Sequence, residues 1–249
     1  MLENIKGIVL KTVKFSDTKL IVDLFTLSHG RQSFVTSMSH SKQGRSQMAF
    51  WQPLSLVEFQ ADIRPNASSL PKPKDVRLYS VYTDIPYNPL KSTIALFLAE
   101  FVNATLRNES VNTPLYYYME NSFLYLDNIA NSASIANFHL VFLLRLTRFV
   151  GILPNLDIPS PAPYMAVPLF DLVSSNYTFS VPTHHHYLQR EEAALLPLLF
   201  RLDYSTMHLL RLSRSQRSRF LQLIEEYYRL HVPAFPEIKS IGILQEIFS

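Results

Sequence analysis

Cysteine is absent from the 249-residue sequence, and this absence removes several function classes at once. Without cysteine there is no disulfide, no thiolate metal ligand and no cysteine nucleophile. Long apolar runs are also lacking, because no run reaches the roughly 18 residues that cross a membrane, and the stretch 94–106 is interrupted by Glu100 and Asn103. The first residues do not follow the order of a secretory signal, so a cytoplasmic location is expected.

Glycine is scarce, with five in the whole chain, and this scarcity argues against nucleotide chemistry. Neither a phosphate-binding loop nor a dinucleotide fingerprint can be built from these positions, and no GxSxG nucleophile elbow is present. The adjacent acid pairs Glu191-Glu192 and Glu225-Glu226 lie in predicted helices near arginines, where helix-surface ion pairs are their expected role. The sequence therefore predicts a protein that is not an enzyme and has no cofactor.

Charge is unevenly distributed along the chain. The formal net charge is +3, but residues 1–80 hold 11 Lys and Arg against 6 Asp and Glu, and the remainder has a net charge of −2. This asymmetry favours a polyanionic partner for the N-terminal third. A merely solvated basic face is the alternative.

The N-terminal third has the pattern of a small β-barrel. Its segments are rich in β-branched residues, and Gly30 marks a tight turn between the second and third. Five strands with a polar excursion at 38–50 fit a Greek-key barrel of the OB type, although periodicity alone leaves an SH3-like barrel open. The predicted strands cover 5–15, 20–27, 31–37, 54–63 and 75–82.

After Pro86 and Pro89 the apolar period becomes helical. A proline-rich stretch at 154–168 interrupts the helices, and 169–173 with 177–181 can form a hairpin. The sequence predicts an α+β protein: a five-stranded OB-type β-barrel domain at 1–85, then an all-α helical domain at 86–249 with a proline-rich hairpin insertion. The predicted helices cover 94–105, 114–129, 135–150, 190–201, 205–210, 213–230 and 236–248.

Cationic residues cluster in the predicted barrel and its excursion. OB barrels bind nucleic acid with cations that follow the phosphates and with aromatic rings that stack on bases. Phe15, Phe34 and Trp51 are the available rings, and each is equally a candidate for the barrel core. The candidate nucleic-acid-binding residues, for DNA in particular once the resemblance described below is considered, are Lys11, Lys14, Lys19, Arg31, His40, Lys42, Arg45 and Arg64.

Arg145 and Arg148 are the two charges on the otherwise apolar helix predicted at 135–150. Their spacing of three places them on one helix face. Because an unpaired buried charge is costly, each must pair with an acid such as Glu100 or Asp127, or reach the surface. An exposed arginine face beside an apolar groove would suit an acidic, hydrophobic peptide.

The run His184-His185-His186 suggests a metal site, but the pattern is weak. Neighbouring residues of an extended segment point to opposite sides, so three in a row rarely converge on one ion. No HExxH spacing accompanies them. A surface turn after Pro182 is the preferred interpretation.

Four segments, in order, resemble the RecO family. They are KGIVLKTVKFSDTKLIVDLFTLSHGRQSF at 6–34, WQPLSLVEF at 51–59, NFHLVFLLRLTRFVGILPNL at 137–156 and EIKSIGILQEIF at 237–248. The resemblance covers essentially the whole chain and is greatest to RecO proteins of the Bacteroides group.

The resemblance implies a recombination mediator of DNA repair, acting in the RecFOR pathway on the nucleoid. Such a protein binds single- and double-stranded DNA, anneals strands and, with RecR, helps to load RecA. It also engages the acidic C-terminal tail of single-strand binding protein, for which Arg145, Arg148 and Lys239 are the candidate residues here.

One departure from the family concerns zinc. Many RecO proteins carry a four-cysteine zinc module after the central helix, whereas the matching stretch here has prolines and no cysteine. We expect 153–187 to be a zinc-less remnant, with no bound metal.

Two other function classes remain open on the sequence alone. A protein adaptor built on an OB-like barrel and helical body would show no salt-sensitive DNA binding. A metal hydrolase using the three histidines would contain stoichiometric zinc, which elemental analysis detects.

Overall fold

The computed structural model describes residues 2–37, 48–64, 68–107, 109–158 and 167–247. Its N-terminal part is a five-stranded antiparallel sheet with the strand order β3-β2-β1-β4-β5, which confirms the predicted OB-type architecture. The strands are β1 (Glu3–Ser16), β2 (Lys19–Thr26), β3 (Gly30–Ser37), β4 (Leu56–Ala61) and β5 (Lys74–Ser80).

The barrel core forms because alternate residues of each strand point inward. Phe34 and Trp51 both pack edge-on against Phe59, with ring centroids 4.9 and 6.4 Å apart. Among the described residues the sheet is not closed into a full cylinder. The backbone N–H of Val35 in β3 nevertheless donates to the carbonyl of Pro71, just before β5, at 3.1 Å.

Two helices follow the sheet: α1 (Pro89–Thr105) and α2 (Thr113–Asn128). Each begins at an asparagine cap with a proline in its first turn, the arrangement that satisfies free backbone N–H groups and pre-sets the first helical φ angle. Asn88 accepts from the N–H groups of Leu90 and Lys91, and Asn112 accepts from that of Leu115.

The rest of the chain mixes helices with a small sheet of order β7-β6-β8. The predicted hairpin is present, and a third strand that the sequence did not predict pairs with it. The elements are α3 (Ser132–Phe149), β6 (Leu169–Asp171), β7 (Asn176–Thr178), β8 (Tyr187–Leu188), α4 (Arg190–Ala193), α5 (Leu196–Arg201), α6 (Arg214–His231) and α7 (Ser240–Ile247).

The predicted helix at 190–201 is wrong as a single element, because it is divided into α4 and α5. Pro197 cannot donate to the carbonyl of Ala193, so the helical ladder is interrupted there. That carbonyl instead accepts the hydroxyl of Tyr177 at 2.9 Å.

The predicted helix at 205–210 is a short 3-10 turn, Met207–Leu209. The Asp203 carboxylate accepts from the backbone N–H groups of Ser205 and Thr206, both at 2.9 Å. This local side-chain bonding competes with regular helix formation.

The chain divides into two compact units, which are described separately. The first comprises Met1–Ile129 and Glu237–Ile247, and the second comprises Ala130–Pro236. The boundary at residue 85 marks the change from strands to helices and stays a prediction about domains. None of the described helices is long and apolar enough to cross a membrane.

Candidate nucleic-acid interface

The hairpin formed by β1 and β2 carries three of the predicted cations. Lys11, Lys14 and Lys19 are all exposed, as is every residue from Val13 to Lys19. β1 pairs with β4 only from Glu3 to Ile8, whereas its pairing with β2 continues to the tip, where Ser16 lies opposite Lys19. Among the described residues, the outer half of β1 has a strand partner only in β2, and it presents lysines to solvent.

Strand pairing defines one face of this hairpin. Residues directly opposite one another share a face. Lys11 lies opposite Asp23, Val13 opposite Ile21, and Ile21 in turn opposite Val35 of β3. The result is a partly exposed apolar strip that begins beside Lys11.

The three rings considered for base stacking differ clearly in their exposure to solvent. Phe34 and Trp51 are buried, with 0% and 4% exposure, and both belong to the barrel core. Phe15, near the tip of the hairpin, is 65% exposed. Of these three, only Phe15 is available for contact with a base.

A groove of about 1020 Å³ opens between the start of β3 and the segment that precedes β5. Arg64, Lys72 and Lys74 line it together with Asp62, and all three cations are exposed. Lys72 and Lys74 were not among the sequence-predicted residues. Their signal was the basic run Lys72-Pro73-Lys74 directly before β5.

Arg64 is anchored in the groove by Asp62. Its Nε and Nη2 atoms both donate to Asp62 Oδ2, at 2.8 and 2.6 Å. The hydrogen bond from Arg64 is the main cause that lowers the pKa of Asp62 to about 2. The Arg64 side chain is still 73% exposed, so the paired guanidinium remains accessible to an anion.

Arg31 has a different environment from the other cations. Its guanidinium donates to the carbonyl and side-chain oxygens of Asn103, both at 2.9 Å, and to Asp23 at 3.1 Å. Its backbone N–H also donates to the carbonyl of Glu109 at 3.1 Å. These bonds join β3 to the end of α1, so we assign Arg31 to the packing of the fold and omit it from the proposed interface.

Three predicted DNA-binding residues, His40, Lys42 and Arg45, lie outside the described residues. In the sequence they follow Ser37, the end of β3, which pairs with Lys19 of the hairpin. Their assignment stays a prediction.

Arg145 and Arg148 are both exposed on α3. The acids considered as internal partners are engaged inside the first unit. Glu100 accepts hydrogen bonds from residues 239 and 240, and Asp127 accepts them from residues 83 to 85. The geometry favours the exposed arginine face over internal pairing.

Lys239, the third residue considered for an acidic tail, is exposed and precedes α7. Its backbone N–H donates to Glu100 at 3.0 Å, and its ammonium group contributes to the lowered pKa of that carboxyl. Lys239 belongs to the first unit, whereas Arg145 and Arg148 belong to the second.

Two of the three consecutive histidines have carboxylate partners, and these partners differ. His184 Nε2 lies 3.4 Å from Asp171, and His186 Nδ1 lies 2.6 Å from Glu226. Within the described part of the chain, no group of three or more His, Asp and Glu side chains is arranged to hold a metal. The contact with Glu226 ties the small sheet to α6.

Comparisons with known proteins agree over both parts of the chain. The family model "Recombination protein O N terminal" matches residues 1–81, and "Recombination protein O C terminal" matches residues 86–240. "DNA repair protein RecO" of Bacteroides fragilis (strain YCH46) is 46% identical over 249 residues, and that of Phocaeicola vulgatus is 43% identical over 249 residues. Both alignments cover 100% of each chain. The Flavobacterium johnsoniae protein of the same name is 32% identical over 246 residues, covering 98% of each chain.

Proposed function

Because the chain belongs to the RecO family, we propose that it is a recombination mediator of DNA repair that binds single- and double-stranded DNA through its N-terminal barrel. With RecR it helps to load RecA, and it anneals complementary strands. These actions need no bond-breaking chemistry, which agrees with a sequence that lacks a phosphate-binding loop.

The observation that supports this proposal most directly is that exposed cations of neighbouring segments lie near both ends of β3. The groove lies at its first residues, Arg31 to Ser33, and the lysine-bearing hairpin reaches its last residue, Ser37. Ser37 lies four residue steps beyond Ser33, which is about 13 Å of extended strand. A strand of nucleic acid several nucleotides long can contact both points.

The contacts at these points are with phosphates. Lysine and arginine neutralise the backbone without reading the base sequence, so binding should depend on salt and little on sequence. The Lys14–Asp17 pair does not prevent this, because both side chains are exposed and such surface pairs contribute little stability.

The interface can be tested with a labelled oligonucleotide and fluorescence anisotropy over a salt series. Neutralising Lys11, Lys14 and Lys19 to Gln should weaken binding and make the salt dependence shallower, by roughly 0.7 in the logarithmic slope for each single-strand phosphate that is no longer neutralised. Lys72→Gln with Lys74→Gln should act in the same direction. Arg211→Gln, an exposed arginine in the second unit, is the matched control.

The outcomes separate the candidate functions. Unchanged affinity and slope in both lysine variants would remove the hairpin and the groove from the interface. A wild-type protein without any salt-sensitive binding would instead favour the protein-adaptor alternative.

The helical part supplies the second proposed contact, with the acidic C-terminal tail of single-strand binding protein. Arg145 and Arg148 are exposed and share one face of α3, and Lys239 is exposed before α7. Arginine binds carboxylates through charge-assisted, often bidentate hydrogen bonds, which suits an acidic peptide.

A further inference from the structure

We infer that Phe15 is a base-stacking platform that gives the DNA site a preference for single strands. The inference rests on the proposed function and adds a specificity that phosphate contacts alone cannot provide. It starts from a ring at the barrel surface that the sheet leaves uncovered.

The register of the hairpin explains why Phe15 is exposed. Lys14 pairs with Leu20 and Ser16 with Lys19, so Phe15 occupies the irregularity between them and has no opposite residue in β2. A residue in such a bulge is left out of the regular pairing. The ring is 65% exposed.

The neighbours of Phe15 favour a nucleic acid over a protein as the occupant. Between Lys11 and Lys19 the sequence contains three lysines and one acid, Asp17. Lysine is depleted at protein–protein interfaces, whereas cations beside an exposed aromatic ring are the usual elements of a single-strand site. A base stacked on Phe15 would place its flanking phosphates among these lysines.

The strand preference follows from what each group can contact. Lysines attract the phosphates of single and double strands alike. A ring can stack on an unpaired base, but the bases of a duplex are already stacked on their neighbours and must be unstacked at a cost. Phe15 should therefore strengthen binding to single strands selectively.

The first test compares affinities of full-length variants for oligo-dT of about 16 nucleotides and for a duplex of the same length. Phe15→Ala should bind oligo-dT about tenfold more weakly, with little change for the duplex. The salt slope should stay at the wild-type value, because the lysines still neutralise the same phosphates. Phe15→Leu should behave like Phe15→Ala, because it also lacks a ring. Phe15→Trp, which keeps an aromatic ring, should bind oligo-dT like wild type.

The control is Tyr87→Ala, which removes another exposed ring of the first unit, 82% accessible and remote in sequence from the hairpin. It should bind both ligands like wild type. Melting temperatures of all variants should match, because both rings lie at the surface.

The second test uses fluorescence of the F15W variant. The single native tryptophan, Trp51, is buried, so the introduced indole is the exposed fluorophore. Adding oligo-dT should quench this exposed emission, and adding the duplex should quench it much less.

Failure of the stacking role can be distinguished from failure of the proposed DNA-binding function. Equal reductions of affinity for single strands and duplex, or full affinity with no quenching, would overturn the stacking role while leaving DNA binding intact. Loss of binding to a protein partner alone would reassign Phe15 to a protein contact. Absence of DNA binding by wild type would overturn the proposed function itself.

Discussion

At the scale of single residues, Lys91 shows how the first unit tolerates an interior charge. Its side chain is 1% exposed, and its Nζ atom donates to the carbonyl of Asp127 at 2.6 Å and lies 2.7 Å from Asp84 Oδ2. Burial of an ammonium group is costly unless such partners satisfy it. Lys91 thus links the turn before α1 to the end of α2.

We predict that Lys91→Ala lowers the free energy of unfolding by about 2 kcal/mol, a value below that of fully buried pairs because Asp84 is 47% exposed. Urea denaturation of both proteins measures the difference. Lys72→Ala, which removes an exposed lysine of the same unit, should change it by less than about 0.5 kcal/mol. Equal effects of the two substitutions would contradict the structural role of Lys91.

Gly30 and Arg31, which are adjacent at the start of β3, each have a structural role. Gly30 has a φ of +64°, and a Cβ atom there would lie 2.5 Å from the backbone of Ser110. Glycine alone fits this turn and close approach. Arg31 then holds the end of α1 through Asn103. The structure shows the packing contacts of this arginine, and its predicted contact with DNA stays a prediction.

At the scale of elements, one carboxylate of α1 binds the start of α7, the last helix of the described chain. Glu100 accepts from the backbone N–H groups of Lys239 and Ser240, at 3.0 and 2.9 Å, and from the Ser240 hydroxyl. Burial alone would raise the pKa of Glu100, but the hydrogen bonds from Ser240 and Lys239 outweigh it, and the pKa is lowered. The Lys-Ser pair at the start of the helix therefore has a structural role.

We predict that Glu100→Gln lowers stability at neutral pH by about 1–2 kcal/mol, because the amide cannot accept all three bonds. Since the folded-state pKa is lowered, the carboxylate stabilises the protein above its unfolded-state pKa of about 4.3. That contribution disappears as the pH falls through the lower folded value. The stability difference between wild type and variant should thus shrink below pH of about 4.

Thermal or urea unfolding of both proteins between neutral pH and about pH 3 measures this difference in the free energy of unfolding. Glu237→Gln, an exposed acid just before the helix, is the control and should show no such pH-dependent difference. A constant difference across the range would mean that Glu100 acts through packing and not through its charge.

The small sheet of the second unit is stabilised by apolar packing and by backbone hydrogen bonds. Phe170 packs edge-on against Tyr177 at 5.1 Å, and the backbone N–H of Leu172 donates to the carbonyl of His186 at 3.0 Å. Phe170 and Leu188 line a cavity of about 50 Å³ in the same unit. Apolar packing and backbone pairing are the contacts that hold this sheet.

At the scale of the whole molecule, the two proposed contacts should be separable. The cations of the hairpin and groove that we propose to bind DNA belong to the first unit, whereas Arg145 and Arg148 belong to the second. An acidic tail loses charge-assisted hydrogen bonds when both arginines are removed.

We predict that Arg145→Ala with Arg148→Ala slows annealing of strands coated with single-strand binding protein by about tenfold, with unchanged affinity for naked DNA. The measurement is the initial annealing rate, with intact coating protein and with one lacking its acidic tail. The defect should vanish on tail-less coating, and Arg211→Gln should anneal like wild type. A defect that persists without the tail would argue against tail binding by these arginines.

The sequence by itself determined the order and type of the main elements, because alternation, helical spacing and prolines are local signals. All five barrel strands and α1 to α3 lie within a few residues of the predicted ranges. The ordered motifs also indicated the family. The separation of α4 from α5 depended on a local signal, Pro197, that competed with a continuous apolar pattern.

Only the tertiary structure decided which cations and aromatic rings are exposed at the surface and so available to a ligand. Arg31 and Lys14 are both basic residues near strand ends, yet the first is enclosed by Asn103 and Asp23 and the second is exposed. Phe15 and Phe34 have equal propensities, but a bulge exposes one and the barrel core buries the other. Burial depends on residues distant in sequence that pack around a side chain, and local patterns do not specify them.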